Sequence, residues 1–569
     1  MKTPFRSTGY VCLMIALIIG AVAVNLPAQV GPGNGTYGQD PGPQQLPATP
    51  ANYITCSSSN NPNHVLDAAA SNPHNAPTSD IPLPLPNLSQ NQLDLFCAAL
   101  GVFQQFISVD GVIANAGGAG NTGNCTPADL PPGSSGTIPC DETGTGLGPR
   151  FNGNSCVMCH SNPNFLSASG PINPEDSGVP LLGIPSGGVG VLDGATNSLS
   201  AFGSDISPTG PVREVRFINL PGTNITDGTV HDLFTITGRV DATNAININP
   251  SLGLTTCAEQ QPNFGPNIAS NIIFRIPIIA TGDGLVELLD DYSLMDNNQA
   301  SSGYNGVAGT FNRSPNTFNI SRFGWKAQNP SLSVFSGEAS DVEMGVTNDL
   351  FPNERRLDDT LLGYSLTTLE DCQFHILPDD FINFVMGSSN SNEGNLASEI
   401  STRAFNFSAA MRLSAPPQRL PENTNAQAGA ALFVQIGCNQ CHSNNSTGDL
   451  VTIASSSFPV GQGLQPVLAF SDFALHAMAS GPGLTNTYGQ PCLDDSIAQG
   501  LAAGNMFRTA PLWGTSTRIF FLHDGRDTYL GDVILNHICS GSEANVSAQA
   551  FAGLSPAQQN DIIDYLRTL

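Results

Sequence analysis

Two short stretches share the pattern Cys-x-x-Cys-His. They read "CVMCH" and "CNQCH", nearly 300 residues apart. In the Cys-x-x-Cys-His signature of c-type haem, the two cysteines form thioethers and the adjacent histidine reaches the iron. A zinc site or a redox-active cysteine pair is the competing interpretation, but the adjacent histidine and the duplication favour haem. The predicted attachment residues are Cys156, Cys159, Cys438 and Cys441, and the predicted proximal iron ligands are His160 and His442.

The sixth iron ligand decides what each haem does. A haem used for electron transfer is usually closed by a second histidine or a methionine, whereas a haem that activates peroxide has or opens a vacant position. Spacing alone does not identify this ligand. The histidines outside the two motifs are His64, His74, His231, His375, His476, His523 and His537.

Helical patterns enclose the second motif. The Ala-rich stretch "NAQAGAALFVQIGCNQCH" predicts a helix that leads directly into it. The stretch "LSPAQQNDIIDYLRTL" predicts a last helix, with Ser555 as N-cap, Pro556 as first residue and Gln558 completing a capping box. Class I cytochromes c cross their first and last helices beside the haem, so we expect this arrangement here.

The first motif lies in a more mixed region. A helix is predicted from Asn91 to Phe106 with Ser89 as N-cap, and short β-like runs alternate with turns between Gly183 and Ser293. "FINFVMG" and "RAFNFSAAMRL" are predicted helices, and "SAPPQRLPENT" is a break. The predicted fold class is mainly α with irregular and β insertions, in two class I cytochrome c-like domains, each with one covalently bound c-type haem. The predicted domains are residues 88–415, with a β-rich insertion, and 420–569.

The N-terminus has the pattern of an export signal. Lys2 and Arg6 precede an apolar run, so residues 1–28 are a predicted signal peptide, with an uncleaved anchor as the alternative. Residues 29–87 are a Pro/Asn/Ser-rich lead-in. Eight cysteines remain outside this run and the haem motifs, and their even number predicts disulfides. These features predict a periplasmic or secreted protein.

The composition limits the choice of partners. Only 11% of the residues are charged, and the formal net charge is −27. Such acidity argues against binding to nucleic acid or to an anionic membrane surface. The expected membrane contact is limited to the alternative of an uncleaved N-terminal anchor. A small basic or neutral redox protein is easier to accommodate as an electron donor.

Several motifs resemble one family. They are "LGPRFNGNSCVMCH", "GPVREVRF", "LFTITGR", "RFGWKAQNPSL", "GEASDVEMGVTNDLFP", "FRTAPLWG" and "FFLHDGR". Together they resemble the di-haem oxidoreductase, putative peroxidase family, also labelled thiol oxidoreductase, within the superfamily of bacterial di-haem cytochrome c peroxidases. The resemblance covers about residues 90 to 569. A thiol oxidoreductase activity has little support, because both Cys-x-x-Cys pairs are assigned to haem.

The resemblance implies roles for four further residues. In "GWKAQNPSLSVFSGEASDVEMG", Trp325 takes the place of a tryptophan that relays electrons between the haems. Glu343 takes the place of the carboxylate that moves a proton as peroxide is cleaved. In "FFLHDGRDTYLGDVILNH", His537 takes the place of a distal methionine at the second haem. The peroxidases keep a displaceable distal histidine soon after the first motif, and this sequence has none there. His231 is the nearest candidate to close the first haem at rest, with a structural histidine in a loop as the alternative.

Some positions depart from the peroxidase pattern or stay open. No glutamine accompanies the glutamate; Phe335 or Ser336 lies near its place. His476 is the alternative to His537 as a ligand, and His523 is expected to hydrogen-bond in the haem pocket. A calcium ion between the domains is compatible with the resemblance, although the sequence assigns it no ligands.

The expected activity is the reduction of hydrogen peroxide or another small oxidant. Electrons would pass from a partner to the C-terminal haem and from there to the N-terminal haem. The alternatives are a di-haem electron-transfer cytochrome c without enzymatic activity, and an oxygenase-type or radical-forming haem enzyme.

Overall fold

A computed structural model describes about half of the chain. The described residues are 40–42, 44, 82–86, 88–104, 106–107, 124–125, 138–141, 150–153, 156–160, 191–192, 213–220, 222–232, 234–237, 270–301, 303, 306–352, 380, 402–443, 452–454 and 464–569. The predicted signal peptide, most of the lead-in and the "FINFVMG" helix lie outside these residues, as do His64, His74 and His375.

Helices supply the longer elements. They are α1 (Gln90–Gln104), α2 (Cys156–Cys159), α3 (Asp283–Glu287), α4 (Asp291–Ser301), α5 (Leu332–Met344), α6 (Arg403–Leu413), α7 (Thr424–Gln435), α8 (Leu530–Leu535), α9 (Asn545–Ala552) and α10 (Pro556–Leu566). Among the described residues no helix is both long and apolar enough to cross a membrane.

The strands are short and form small separate sheets. They are β1 (Phe106–Ile107), β2 (Asn124–Cys125), β3 (Ile138–Asp141), β4 (Arg150–Phe151), β5 (Val191–Leu192), β6 (Glu214–Phe217), β7 (Val230–His231), β8 (Phe234–Thr237), β9 (Ile272–Arg275), β10 (Thr452–Ala454), β11 (Leu464–Pro466), β12 (Leu475–Ala477) and β13 (Met506–Arg508). In the sheet that matters most for the site, β6 lies between β7 and β9 and is antiparallel to both. The runs predicted as β-like between Gly183 and Ser293 thus contain strands.

The first predicted helix is confirmed by α1. The backbone N–H of Gln92 donates to the Ser89 hydroxyl, and the Ser89 N–H donates to the Gln92 side chain, which is a capping-box arrangement. One face of this helix is buried through Leu93, Phe96, Leu100 and Phe103. That face packs against α6, the helix predicted from "RAFNFSAAMRL".

The helices around the second motif cross in backbone contact. The capping box at Ser555 forms as predicted at the start of α10. Gly429 in α7 faces this helix, and a Cβ there would lie 1.8 Å from the carbonyl oxygen of Asp561. Only a glycine permits so close an approach, so this residue sets the crossing of α7 and α10. Around the crossing lies a core that includes Phe433, Phe551 and Ile562.

The two halves of the chain share apolar cores. The core built on α1, α5 and α6 also contains Phe473 and Trp513 from the C-terminal part. A smaller core joins Trp325 to Phe507 and Phe520. The regions that contain the two motifs therefore pack against each other, and this packing fixes the relative positions of the motifs.

A short piece of the lead-in is anchored to the C-terminal part. The Asp40 carboxylate accepts from Arg567 Nε at 2.7 Å and from the backbone N–H of Leu530 at 2.9 Å. Both partners of this ion pair are buried. The lead-in therefore has a fixed contact at this point, which its composition did not predict.

One disulfide is seen among the described residues. It joins Cys492 to Cys539, which are 47 residues apart in sequence. Cys97 of α1 is also disulfide-bonded. These bonds agree with the prediction of disulfides outside the haem motifs.

Candidate haem sites

The first motif opens onto a cavity of about 490 Å³. Cys156 and Cys159 are the ends of the single-turn helix α2, and the His160 N–H donates to the Cys156 carbonyl at 3.0 Å. Both cysteines and His160 line the cavity. Phe103 of α1 lies edge-on to the His160 ring, with 6.2 Å between ring centroids. The motif therefore presents its three reactive side chains to one space.

Glu343 reaches the same cavity from the end of α5. Its carboxylate accepts from Asn152 Nδ2 at 2.9 Å, and its backbone carbonyl accepts from the Asn152 N–H at 2.7 Å. Asn152 precedes the motif by four residues, so these bonds tie the carboxylate to the haem attachment segment. Burial raises the pKa of the Cys156 thiol to about 12, and the nearby Glu343 charge adds to that rise.

Two buried polar atoms in this cavity lack a hydrogen-bond partner within the described part of the chain. They are Ser336 Oγ and Gln328 Oε1, and both residues line the cavity. Gln328 is folded back against Gly324, whose φ of +83° is a left-handed conformation. Sequence reasoning placed Ser336 or Phe335 near the missing glutamine and overlooked Gln328. The position of Gln328 depends on a tight turn at Gly324, which no local sequence pattern predicts.

His231 is turned away from the first cavity. Its Nε2 lies 2.7 Å from the Asp227 carboxylate, and its ring stacks on Phe217 with centroids 3.7 Å apart. Asp227 and Val230 line the cavity, but His231 is not among the lining residues. The structure thus does not bring this candidate ligand to the first motif.

The second motif opens onto a separate cavity of about 210 Å³. Cys438, Cys441, His442 and His537 all line it. The Nδ1 of His442 lies 3.0 Å from the Phe470 carbonyl, and the Nδ1 of His537 lies 2.8 Å from the Val533 carbonyl. A backbone carbonyl on Nδ1 fixes the tautomer and leaves Nε2 for a metal. Burial lowers the pKa of both rings, to about 4 for His442, which favours the neutral imidazole that a ligand must be.

His476 also lines the second cavity but is held by carboxylates. Its Nε2 lies 2.9 Å from Asp472, and its Nδ1 lies 2.8 Å from Glu543. Burial alone would lower the pKa of His476, but Asp472 raises it well above the ordinary value. An imidazolium with both nitrogens engaged cannot ligate iron, so the geometry favours His537 over His476. Cys441, Asp472 and His476 form the one cluster of possible metal-binding side chains found among the described residues. Its cysteine belongs to the haem motif.

The second cavity also contains a buried guanidinium with one unpartnered nitrogen. Arg518 Nη2 is buried and has no hydrogen-bond partner within the described residues. Burial lowers the pKa of this guanidinium to about 10. Arg508, which lines the same cavity, is buried as well. A haem carries two carboxylates that would compensate such charges. The two cysteines of the motif, His442, His537 and these arginines therefore fit a haem.

Trp325 is a shared wall of the two cavities. It lines both of them, and its indole N–H donates to the Ile276 carbonyl at 2.8 Å. On the side of the second cavity the indole meets His523 edge-on, with centroids 6.4 Å apart. His523 is buried and packs on Phe507. Trp325 therefore lies between the cavities of the two motifs.

Several known proteins are similar to this chain. Hydrazine synthase of Kuenenia stuttgartiensis is 17% identical, with a TM-score of 0.20 over 30% of this chain and 58% of that chain. The present chain thus spans less than two thirds of that relative. A MauG-like protein associated with microbial copper homeostasis is 13% identical, with a TM-score of 0.22 over 49% and 89%. The diheme peroxidase BthA from Burkholderia thailandensis is 12% identical, with a TM-score of 0.23 over 62% and 94%. At these TM-scores the superpositions carry no argument.

The family match is more informative. No curated protein matches the sequence. The family described as "Di-haem oxidoreductase, putative peroxidase" matches residues 277–569, which is more than half of the chain. The matched segment contains Trp325, Glu343, the second motif and His537. The chain therefore belongs to this family of di-haem oxidoreductases.

Proposed function

We propose that the protein is a di-haem peroxidase-like enzyme with one c-type haem in each cavity. Electrons from a donor would enter at the second cavity, and hydrogen peroxide or another small oxidant would be reduced at the first. When bound, the two haems supply the irons that exchange electrons with donor and oxidant. The observation that carries the proposal is that two differently equipped cavities share Trp325 as a wall.

The first cavity is lined by side chains of the types that peroxide cleavage needs. O–O heterolysis needs a group that takes a proton from one oxygen and returns it to the other. Glu343 lines the cavity with its carboxylate oriented by Asn152. Gln328 and Ser336 offer hydrogen-bonding atoms to a small polar ligand in the same space. We assign proton transfer to Glu343 and orientation of the carboxylate to Asn152.

The second cavity has the equipment for electron transfer. His442 and His537 both line the cavity and are both held through Nδ1, so their Nε2 atoms would be available to an iron bound there. A six-coordinate iron exchanges electrons without binding an oxidant. Arg508 and Arg518 line this cavity and would balance the carboxylates of a haem bound there. We propose that His442 and His537 would hold its iron.

The proposed setting is the periplasm or the outside of the cell. Covalent haem attachment and disulfides belong to such compartments, and the chain has the Cys492–Cys539 disulfide. The N-terminal apolar run supports export. The proposed donor is a small redox protein with a basic or neutral surface, which suits a chain of net charge −27.

The proposal is tested by peroxide turnover in two matched variants. The haem of higher potential is reduced, hydrogen peroxide is added, and turnover is followed with a reducing donor present. Glu343→Gln should lower the turnover by roughly 10²- to 10⁴-fold, the usual contribution of a proton-transfer group. Glu338→Gln is the control, because Glu338 lies on α5 and lines the same cavity but is bonded to Asn329. It should retain most of the activity.

Other outcomes point to other functions. Equal turnover of the two variants would remove Glu343 from the mechanism. No turnover, together with low-spin six-coordinate spectra at both irons, would indicate an electron-transfer cytochrome. Consumption of oxygen in the absence of peroxide would indicate the oxygenase-type alternative.

A further inference from the structure

Lys326 is a fully buried ammonium beside the proposed relay. It directly follows Trp325 in sequence, and the chain has one other lysine, Lys2. A buried lysine is costly unless its charge is compensated. In a chain that places arginine at nearly all its cationic positions, this lysine therefore calls for a local explanation.

The Lys326 ammonium is surrounded by oxygen atoms. Its Nζ donates to the carbonyls of Ala503, Gly504 and Met506 at 3.0, 2.7 and 2.6 Å. A fourth oxygen, from the Asp495 carboxylate, lies 3.1 Å away. Three carbonyls and one carboxylate are a donor set that hard metal cations also select. The side chain thus acts as a cation tethered to the backbone.

We call the four oxygen atoms around the Lys326 ammonium the oxygen cage. The cage connects the relay to both cavities. Asp495 also accepts from Arg275 at 2.7 Å, and Arg275 lines the first cavity. The ammonium lies 3.8 Å from the ring centroid of Phe507, which lines the second cavity. The cage is therefore in contact with the walls of both sites.

The segment of residues 503–508 also hydrogen-bonds to the backbone beside the Trp325 indole. The Arg508 N–H donates to the Trp325 carbonyl at 2.9 Å, and Arg508 Nε donates to the Gly324 carbonyl at 2.9 Å. Residues 503–508 are thus held to residues 324–326 from both directions. Without the ammonium, three carbonyls and the Asp495 carboxylate would lose a buried donor, and the segment would shift.

We infer that Lys326 is a positioning residue of the relay: its ammonium holds segment 503–506 and thereby fixes Trp325 between the two cavities. The inference rests on the proposed function, because it gives Trp325 the part of a relay. A displacement of about 1 Å can cost roughly 10²-fold in rate. The loss of Lys326 should therefore slow transfer between the haems without removing either haem.

The test compares Lys326→Met with Arg322→Met in the holoprotein. Arg322 is a matched buried cation, because it donates to the carbonyls of Val286, Leu289 and Ile320 and pairs with Asp291. It lies near Trp325 in sequence but lines neither cavity. The measured quantity is the rate of electron transfer between the haems after rapid mixing of half-reduced protein with peroxide. Lys326→Met should slow this rate about tenfold or more, whereas Arg322→Met should leave it nearly unchanged.

Chemical rescue supplies a second readout. Lys326→Ala leaves space in the cage, so added ethylammonium should restore part of the rate in this variant but not in Lys326→Met. A purely structural role predicts that both methionine variants slow the transfer equally or not at all, and that ethylammonium has no effect. Either result would overturn the inference.

Trp325→Phe, measured in parallel, separates the two proposals. If this variant transfers electrons at the wild-type rate, the relay fails and the role of Lys326 fails with it, whereas the peroxidase activity is decided by the Glu343 variant. If Trp325→Phe is slow while Lys326→Met is not, the relay stands and only the role of Lys326 is refuted.

Discussion

At the scale of single residues, the histidines of the second cavity differ in how they are held. His442 and His537 each have Nδ1 on a backbone carbonyl, which leaves Nε2 available, and burial lowers the pKa of both rings. His476 lies in the same cavity but is fixed between Asp472 and Glu543. The surroundings of a histidine therefore decide whether it can be a ligand, and sequence position alone does not.

Replacement of His537 by methionine should raise the potential of the second haem. A thioether ligand favours ferrous iron, and axial ligands tune haem potentials within a range of roughly 0.8 V. A positive shift of about 100 mV would be a moderate step within that range. The potential is measured by spectroscopic redox titration of His537→Met. His476→Gln is the control, and its spectrum should keep the two-imidazole form. A ligand change in His476→Gln instead would transfer the assignment to His476.

At the scale of elements, the second motif depends on the crossing of α7 and α10. The capping box at Ser555 starts α10, and Gly429 lets the helices approach to backbone contact. The motif follows α7 directly, so the angle of this crossing sets where Cys438 and Cys441 point. Helix packing thus decides the geometry of haem attachment in this half of the chain.

Gly429→Ala should destabilise the C-terminal half. The new methyl would lie 1.8 Å from the Asp561 carbonyl oxygen, so the helices must separate. Overpacking of this kind costs about 1–3 kcal/mol. Ala428→Ser on the exposed side of the same helix is the control and should cost less than about 0.5 kcal/mol. Denaturant unfolding of the two holoproteins measures the difference, and equal midpoints would contradict the close approach.

Local patterns predicted helices α1, α6, α7 and α10 and strands between Gly183 and Ser293, but only part of the site. Ser89 and Ser555 predict the starts of their helices, because an N-cap hydrogen bond joins residues that are close in sequence. Gln328 enters the first cavity through a left-handed turn at Gly324, and the Asp40–Arg567 pair joins distant ends of the chain. Such contacts depend on the tertiary fold. His231 is a candidate that the tertiary fold removes from the site. Its Nε2 contacts the Asp227 carboxylate, and the residue does not line the first cavity.

At the scale of the whole molecule, the charge is dominated by carboxylates. The net charge of −27 produces a negative field at the surface, while several arginines and one lysine lie buried around the cavities. Several cations thus lie inside, where they would balance the carboxylates of bound haems and where they bond to backbone carbonyls. Partners meet a negative exterior, which favours encounter with positively charged proteins.

Reduction by a basic redox protein should therefore slow down as salt increases. Raising the ionic strength from about 0.01 to 0.15 M shortens the screening length from roughly 30 to 8 Å. The association rate is expected to fall by about tenfold or more, within the 10- to 10³-fold range that electrostatic steering supplies. Stopped-flow reduction by basic and acidic donors of similar potential makes the comparison. An acidic donor that is equally fast at low salt would exclude steering by the overall charge.

The buried position of Lys326 also determines how the protein can be handled. Amine-directed cross-linkers, dyes and immobilisation resins react with exposed lysines, and the sequence has only Lys326 and Lys2. If Lys2 is removed with a signal peptide, such reagents can react with little besides the new α-amino group. Attachment to an electrode or capture of a docked donor would have to use the abundant carboxylates. The scarcity of surface amines is thus a practical advantage, because it permits labelling at a single terminal position.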